Sequence, residues 1–325
     1  MTDACLFRPK ELPGKSAVWE VTRKCHLKCP HCCSEAGSSF SGIGLDEAME
    51  ILDILEMNGI TEILFSGGEP LLWEPLYEIL KSAKERGIEC CLSTTGYSFD
   101  EDAIDRILDL NIESLHISLD SWNREGHDHF RGVDGVFDKT VSIVEKAGER
   151  GILVIASILI HSDLLDHIDE LMQLLYRLNI TEANFNFWIP VGRGLKNRES
   201  IIPDAEKPGV YQKIKEAAEK YKINANSRRI EQGAGGLLEC HGGINVFFVD
   251  AEGRSAACSW AAKKWPEMLD HIEKEGIITG KSRKALTQMK KKYLCNGCGD
   301  SVCGKGCPMY AEFHAGDGDP LCFKC

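Results

Sequence analysis

Cys25-His26-Leu27-Lys28-Cys29-Pro30-His31-Cys32 is the stretch that decides how the rest of the chain is read. It sets three thiols at the spacing CxxxCxxC, directly after a short apolar run at residues 17–21 that reads as a strand. Three thiolates on one loop can hold three irons of a 4Fe–4S cluster. The fourth iron then lacks a local protein ligand and can bind a small chelating ligand and pass it an electron. A zinc site is the competing reading, but zinc sites usually present two CxxC pairs.

Working outward, strand and helix patterns alternate. Leu45–Met57 reads as a helix started by Gly44 or Asp46 and ended by Asn58-Gly59. Strands are expected at 62–65, 88–93, 112–118, 152–160 and 182–189, and helices at 76–86, 100–110, 137–150 and 164–178. The run at 152–160 is almost continuously apolar, as a parallel strand buried on both faces should be. Six strands with helical crossovers mean an α/β fold with a parallel sheet and helices outside. Six units fall short of a closed eight-fold barrel, so a partial (β/α)6 TIM-like barrel is expected. Functional groups should then sit at the C-terminal ends of the strands.

Three parts are expected: a barrel over 1–195, a bridging segment over 196–238 with a helix at 210–221, and a cysteine-rich part over 239–325. Residues 244–249 and 254–258, joined across Asp250-Ala251-Glu252-Gly253, read as a hairpin. The last stretch has little periodicity and many Cys, Gly and Pro, so metal ligation would have to supply its folding free energy.

Bulk properties narrow the class. Hydrophobic residues make up 43%, enough for a real core. The net charge of −12 argues against nucleic acid as a partner, and Lys290-Lys291-Lys292 reads as a solvated helix face. No run approaches the roughly 18 apolar residues of a membrane span, and no secretion signal is visible. A cytoplasmic protein is therefore expected. There are 15 cysteines, four between Cys25 and Cys33 and eight from Cys240 onward. In a reducing compartment such clusters point to metal centres rather than disulfides.

Ser66-Gly67-Gly68-Glu69-Pro70 follows the second strand. With the cysteine loop, it resembles the radical S-adenosylmethionine superfamily over about residues 16–194. In that family the fourth iron binds the amino and carboxylate groups of S-adenosylmethionine, and a GGEP segment receives the methionine amino group. Glycines allow close backbone approach, and Glu69 supplies a nearby countercharge. The resemblance implies that Ser93, in Ser93-Thr94-Thr95-Gly96, ends the third strand beside the cofactor. Relatives carry Thr-Asn-Gly there, so Thr95 has no assigned role. Ser118 and Asp120 resemble the ribose-contacting group, and Gly192 lies in a segment resembling the one packed on adenine. His31 is expected to stack on adenine rather than to ligate iron. The implied chemistry is reductive cleavage of S-adenosylmethionine to a 5′-deoxyadenosyl radical, which abstracts hydrogen from substrate. An electron donor such as flavodoxin or ferredoxin is implied as a partner.

The later cysteines are Cys240, Cys258, Cys295-x2-Cys298-x4-Cys303-x3-Cys307, Cys322 and Cys325. They resemble the SPASM extension, which usually carries two auxiliary 4Fe–4S clusters. That pattern has seven cysteines and five residues where this chain has four between Cys298 and Cys303. Carried over, Cys240, Cys258 and Cys307 would bind one cluster, and Cys295, Cys298, Cys303 and Cys322 the other. Cys325 either completes the first cluster or leaves it open to substrate. A zinc ribbon from Cys295, Cys298, Cys322 and Cys325 is the alternative. Cys5, Cys90 and Cys91 read as fillers. Cys33 and Cys325 are candidate hydrogen-atom donors to a substrate radical, as is Cys240 if the first auxiliary cluster is absent.

SPASM relatives mostly modify ribosomally made peptides by crosslinking, epimerisation or oxidation. Others act on small molecules, so a radical epimerase or dehydrogenase for an aminoglycoside-like sugar or a tetrapyrrole is the alternative. Residues 1–16 leave no room for a leader-binding domain, so a peptide substrate is expected to need a separate leader-peptide-binding protein or direct core binding. A non-catalytic iron–sulfur or zinc protein is a third class, against which CxxxCxxC together with GGEP speaks.

Overall fold

A computed structural model describes residues 15–37, 40–97, 101–188, 190–226, 245–272 and 276–277. The expected strands all form: β1 (Lys15–Glu20), β2 (Ile60–Ser66), β3 (Glu89–Thr94), β4 (Ser114–Ser118), β5 (Leu153–Ile160) and β6 (Glu182–Phe187). Each pairs in parallel with the next. Helices α1 (Leu45–Met57), α2 (Leu76–Glu85), α3 (Glu101–Leu108), α4 (Arg124–Arg131), α5 (Val136–Glu149) and α6 (Ile168–Arg177) make the crossovers. Glycines with positive φ stop several of these units: Gly59, Gly87 and Gly151 follow α1, α2 and α5.

Helix α4 was not expected. It is short and polar, so hydropathy reads it as loop. Its ends nevertheless carry signals: the Asn123 side chain accepts from Gly126 N at 2.8 Å, and Gly132 closes it at φ 77°.

The sheet also runs further than six strands. In the bridging segment the expected helix forms as α7 (Lys207–Tyr221), and an unexpected strand follows, β7 (Asn224–Asn226), parallel to β6. The hairpin forms as β8 (Val246–Val249) and β9 (Arg254–Ala256), antiparallel to each other, with β10 (Asp270–His271) beyond. β8 lies parallel to the free side of β1, so the order is β10-β9-β8-β1-β2-β3-β4-β5-β6-β7.

Alternation along the strands separates two environments. Trp19, Phe65, Leu92 and Ile117 face the helices in the main core. On the opposite face Val18, Leu64 and Cys91 pack with Val246, Phe248 and Ala262 in a second apolar layer. Cys90 and Cys91 are split between the two layers. Two residues further along the inner face the apolar layer gives way to Glu20, Ser66 and Ser93, all buried. That polar end is where the cysteine loop closes over the strands. Among the described residues no helix is long and apolar enough to cross a membrane.

Candidate active site

The cysteine loop is zipped to the glycine segment by backbone alone. Val21 N donates to Ser66 O (2.9 Å), Gly68 N to Thr22 O (2.7 Å) and Glu69 N to Lys24 O (2.9 Å). A Cβ on Gly67 would lie 2.5 Å from Thr22 O, and one on Gly68 would lie 2.4 Å from Lys24 O. The close approach that these glycines allow is therefore to the cysteine loop itself. The segment after β6 straps the other side. Arg193 donates through Nε to Cys29 O (2.9 Å) and through Nη1 to Ala36 O, and Asn197 donates to Pro30 O (3.1 Å). Gly192, at φ 55°, touches the Cys32 and Cys33 carbonyls so closely that a Cβ would overlap them.

Between these segments lies a cleft with about 430 Å³ of empty space, part of it open to solvent. Cys25, Cys29 and Cys32 line it, together with Gly67, Gly68 and the Ser93 and Ser118 positions at strand ends. His31 also borders it. Cys25 Sγ accepts from Leu27 N (3.4 Å) and Cys32 Sγ from Ala36 N (3.4 Å). Burial, then the Glu69 charge, pushes the Cys25 thiol up to about 12, and burial raises Cys32 as well. Ligation must therefore displace protons from these thiols.

The residues present fit an iron–sulfur cluster and a small polar ligand. Among the described residues no three His, Cys, Asp or Glu side chains could hold a single metal ion. A cubane gives each thiolate its own iron, so three sulfurs that share a wall without converging on one point suit it. His31 Nδ1 is buried without a hydrogen-bond partner, which suits a ligand donor or acceptor beside the cleft.

Glu69 is fully buried and does not line the cleft. Its oxygens accept from Thr94 Oγ1 (2.5 Å), Thr95 Oγ1 (2.7 Å) and Thr95 N (3.1 Å). Its charge reaches the thiols through space, while its hydrogen bonds tie β2 to the end of β3. Buried Pro70 opens the short helical turn Pro70–Leu72 that follows it. Thr95, left without a role by sequence, is half of that anchor.

Asp120 is also committed inward. It accepts from Leu159 N at 2.8 Å and pairs with Arg131 Nη2, both side chains being buried. Arg131 in turn points Nη1 at Cys29 Sγ, 3.9 Å away. Burial opposes the guanidinium charge, but Asp120 and Cys29 outweigh it and raise its pKa. Sequence reading missed Arg131; an arginine just before the Gly132 that closes α4 was the available signal. His31 stacks on Phe130 (4.5 Å, 12°), which stacks on His161 (4.3 Å, 15°). Burial, then Arg131, drives His31 well below the ordinary imidazole range, so it is neutral.

Of the later cysteines, Cys258 lies within the described residues. It sits at the N-terminus of α8 (Ser259–Lys264), with Ala262 N donating to its carbonyl (3.0 Å). Lys263 of that helix pairs with Glu20 at the end of β1. Cys33 is half-buried, its Sγ 3.9 Å from Ser34 Oγ. Cys5, Cys240, Cys295, Cys298, Cys303, Cys307, Cys322 and Cys325 lie outside the described residues.

His127 gives the site's surroundings a pH signature. Its Nδ1 accepts from Asp120 N (3.2 Å), and burial, then Arg131, lowers its pKa from 6.5 to about 4. Below pH 6.5 the unfolded chain takes a proton that the folded chain refuses, so stability falls as pH drops towards 4. Between pH 7 and pH 5 His127 should account for a loss of about 2 kcal/mol. Denaturant midpoints at the two pH values should therefore differ less in His127→Asn, which keeps an acceptor, than in the wild type.

Residues 19–175 match the sequence model of the Radical SAM superfamily. With the cysteine loop and glycine segment at the mouth of a parallel partial barrel, that stretch carries a radical SAM domain. The superfamily implies S-adenosylmethionine and a 4Fe–4S cluster as cofactors. The chain is 28% identical over 194 residues to the AdoMet-dependent heme synthase of Nitratidesulfovibrio vulgaris, covering 59% of this chain and 53% of that protein. It is 26% identical over 216 residues to the PqqA peptide cyclase of Granulibacter bethesdensis, covering 65% and 57%. The chain thus spans about half the length of the curated relatives it matches. Its fold is similar to that of Streptococcus suis SuiB bound to S-adenosylmethionine, with TM-score 0.77, 14% identity, 95% of this chain and 77% of that one covered.

Proposed function

We propose that this protein is a SPASM-type radical enzyme that modifies a ribosomally made peptide. The observation that carries this reading is the charge state of the cleft. The cations on its described wall, Arg131 and Arg193, are engaged by Asp120 and by backbone carbonyls respectively. Lys263 of α8 is likewise paired, with Glu20. A site of this kind suits the neutral amides of a peptide better than a ligand bearing several carboxylates, each of which needs a partner when buried. The relative whose name is a peptide cyclase supports the same class.

In this reading Cys25, Cys29 and Cys32 hold three irons of the cluster. Gly67 and Gly68 would present backbone to the methionine end of the cofactor, with Ser93 beside it and Ser118 at its ribose. His31, neutral and held edge and face by Trp188 and Phe130, borders the adenine position. The bound cofactor and cluster supply a carbon radical able to abstract hydrogen. The chain's own work is to hold that end of the barrel dry and to orient the target atom. Cys240, Cys258 and the cysteines beyond them are proposed to bind auxiliary clusters, with Cys33 or Cys325 as a hydrogen donor if the outcome is epimerisation. A flavodoxin or ferredoxin would supply electrons.

A tetrapyrrole is the second reading, favoured by the relative named as a heme synthase. Anaerobic reduction with S-adenosylmethionine should release 5′-deoxyadenosine from the wild type, and Cys29→Ala should fall to the level of protein-free controls. Release undiminished in that variant would sink both readings. Mass change or deuterium uptake in a peptide encoded beside the gene supports the first reading, and mass change in a porphyrin supports the second. Three clusters predict about 12 irons per chain.

A further inference from the structure

We propose that Arg131 is a positioning residue which, through Cys29, sets the reduction potential of the cluster held by the CxxxCxxC loop. The inference rests on the assignment of Cys25, Cys29 and Cys32 as iron ligands.

The three sulfurs are not equivalent. Cys25 and Cys32 accept hydrogen bonds from the backbone of their own loop. Cys29 Sγ faces a guanidinium on a different element, α4, at 3.9 Å. That guanidinium is buried, with its side chain 3% exposed, so water screens it little. One of its nitrogens faces the sulfur and another holds Asp120. The cation therefore stands between the thiolate and its counter-charge, and the positive end of the pair is turned to the cluster.

Such a pair has no evident claim to be there for stability. A buried ion pair replaced by apolar groups of similar volume is often neutral or stabilising. What it adds is a fixed positive field at one cluster ligand. Reduction brings one electron and no proton onto the cluster from a low-potential one-electron donor. A cation and an N–H donor at a ligand sulfur favour the more negative, reduced form, and so raise the potential. Asp120 holds the guanidinium in that orientation, and Leu159 N in turn holds Asp120.

The test is a redox titration of the full-length, iron-reconstituted protein without S-adenosylmethionine, followed by electron paramagnetic resonance. The signal of this cluster is identified by its loss from the C25A/C29A/C32A variant. R131M/D120N removes both charges together and leaves the Leu159 N–H its acceptor. At a fixed poise its ratio of reduced to oxidised cluster should fall about tenfold, 59 mV for a one-electron couple. R131Q/D120N, which keeps an N–H donor without the charge, should fall at least about threefold on the same scale. Either variant loaded with iron and unmoved in midpoint overturns the proposal. Loss of iron from both also overturns it, since Arg131 would then act only by folding the loop. Absence of iron from this loop in the wild type would overturn the ligand assignment itself, a separate result.

Discussion

Asp120→Ala is expected to lower the unfolding free energy by about 3–5 kcal/mol, because it leaves Arg131 buried beside no carboxylate. Both side chains are essentially sealed from water, at 0% and 3% exposure. The same change also strips Leu159 N of its acceptor, a buried donor whose loss adds to the effect. Denaturant unfolding at matched iron loading measures it. Adding Arg131→Met to Asp120→Ala should restore more than half of the loss, because the unpaired charge then disappears. A single variant within about 1 kcal/mol of the wild type would show that the pair is not buried as described.

Gly68→Ala should be nearly as damaging by a different route. The added carbon would stand 2.4 Å from Lys24 O, 2.9 Å from Lys24 C and 3.0 Å from Arg23 C. All three contacts are backbone, so no side chain can swing aside. Lys24 precedes Cys25, and the strain passes straight into the first ligand. We expect a loss of more than about 3 kcal/mol, with iron content falling below half. Gly148→Ala is the control. It lies in α5 with nothing within 4 Å of its Cβ position, and should stabilise by about 0.5–1 kcal/mol. Iron content and midpoint unchanged in Gly68→Ala would refute the close approach.

The cysteine loop, the glycine segment and the first six strands were legible because each rests on local chemistry. Thiol spacing, paired glycines and apolar runs survive without knowledge of neighbours. Helix α4 was not legible, because its buried face is made of His127, Asp128, Phe130 and Arg131. Partners from other elements make those residues buriable, and hydropathy does not carry that information. β7, Asn-Ala-Asn, has no strand character and exists through its pairing with β6.

The same limit applies to the site. Residue types near the cofactor could be named from sequence, but not their orientation. Glu69 was expected as a countercharge, and only the fold shows its oxygens taken by Thr94 and Thr95. Asp120 was expected at the ribose, and the fold turns it to Arg131. In both cases the partner sits on a separate strand or helix, at a distance that no spacing rule encodes.

The placement of β8 against β1 has a consequence for biosynthesis. Val18 pairs with Phe248, a separation of 248 − 18 = 230 residues. β1 emerges first from the ribosome and soon finds β2, but its other side stays open until β8 is made. At about 5–20 residues per second that interval is on the order of 10–50 s. During it, the strand that carries the cysteine loop exposes an unpaired edge, and Glu20 has yet to meet Lys263. A nascent chain of this topology is therefore most open to aggregation, and to premature metal capture at its first cysteines, in the interval before the second side of β1 is covered.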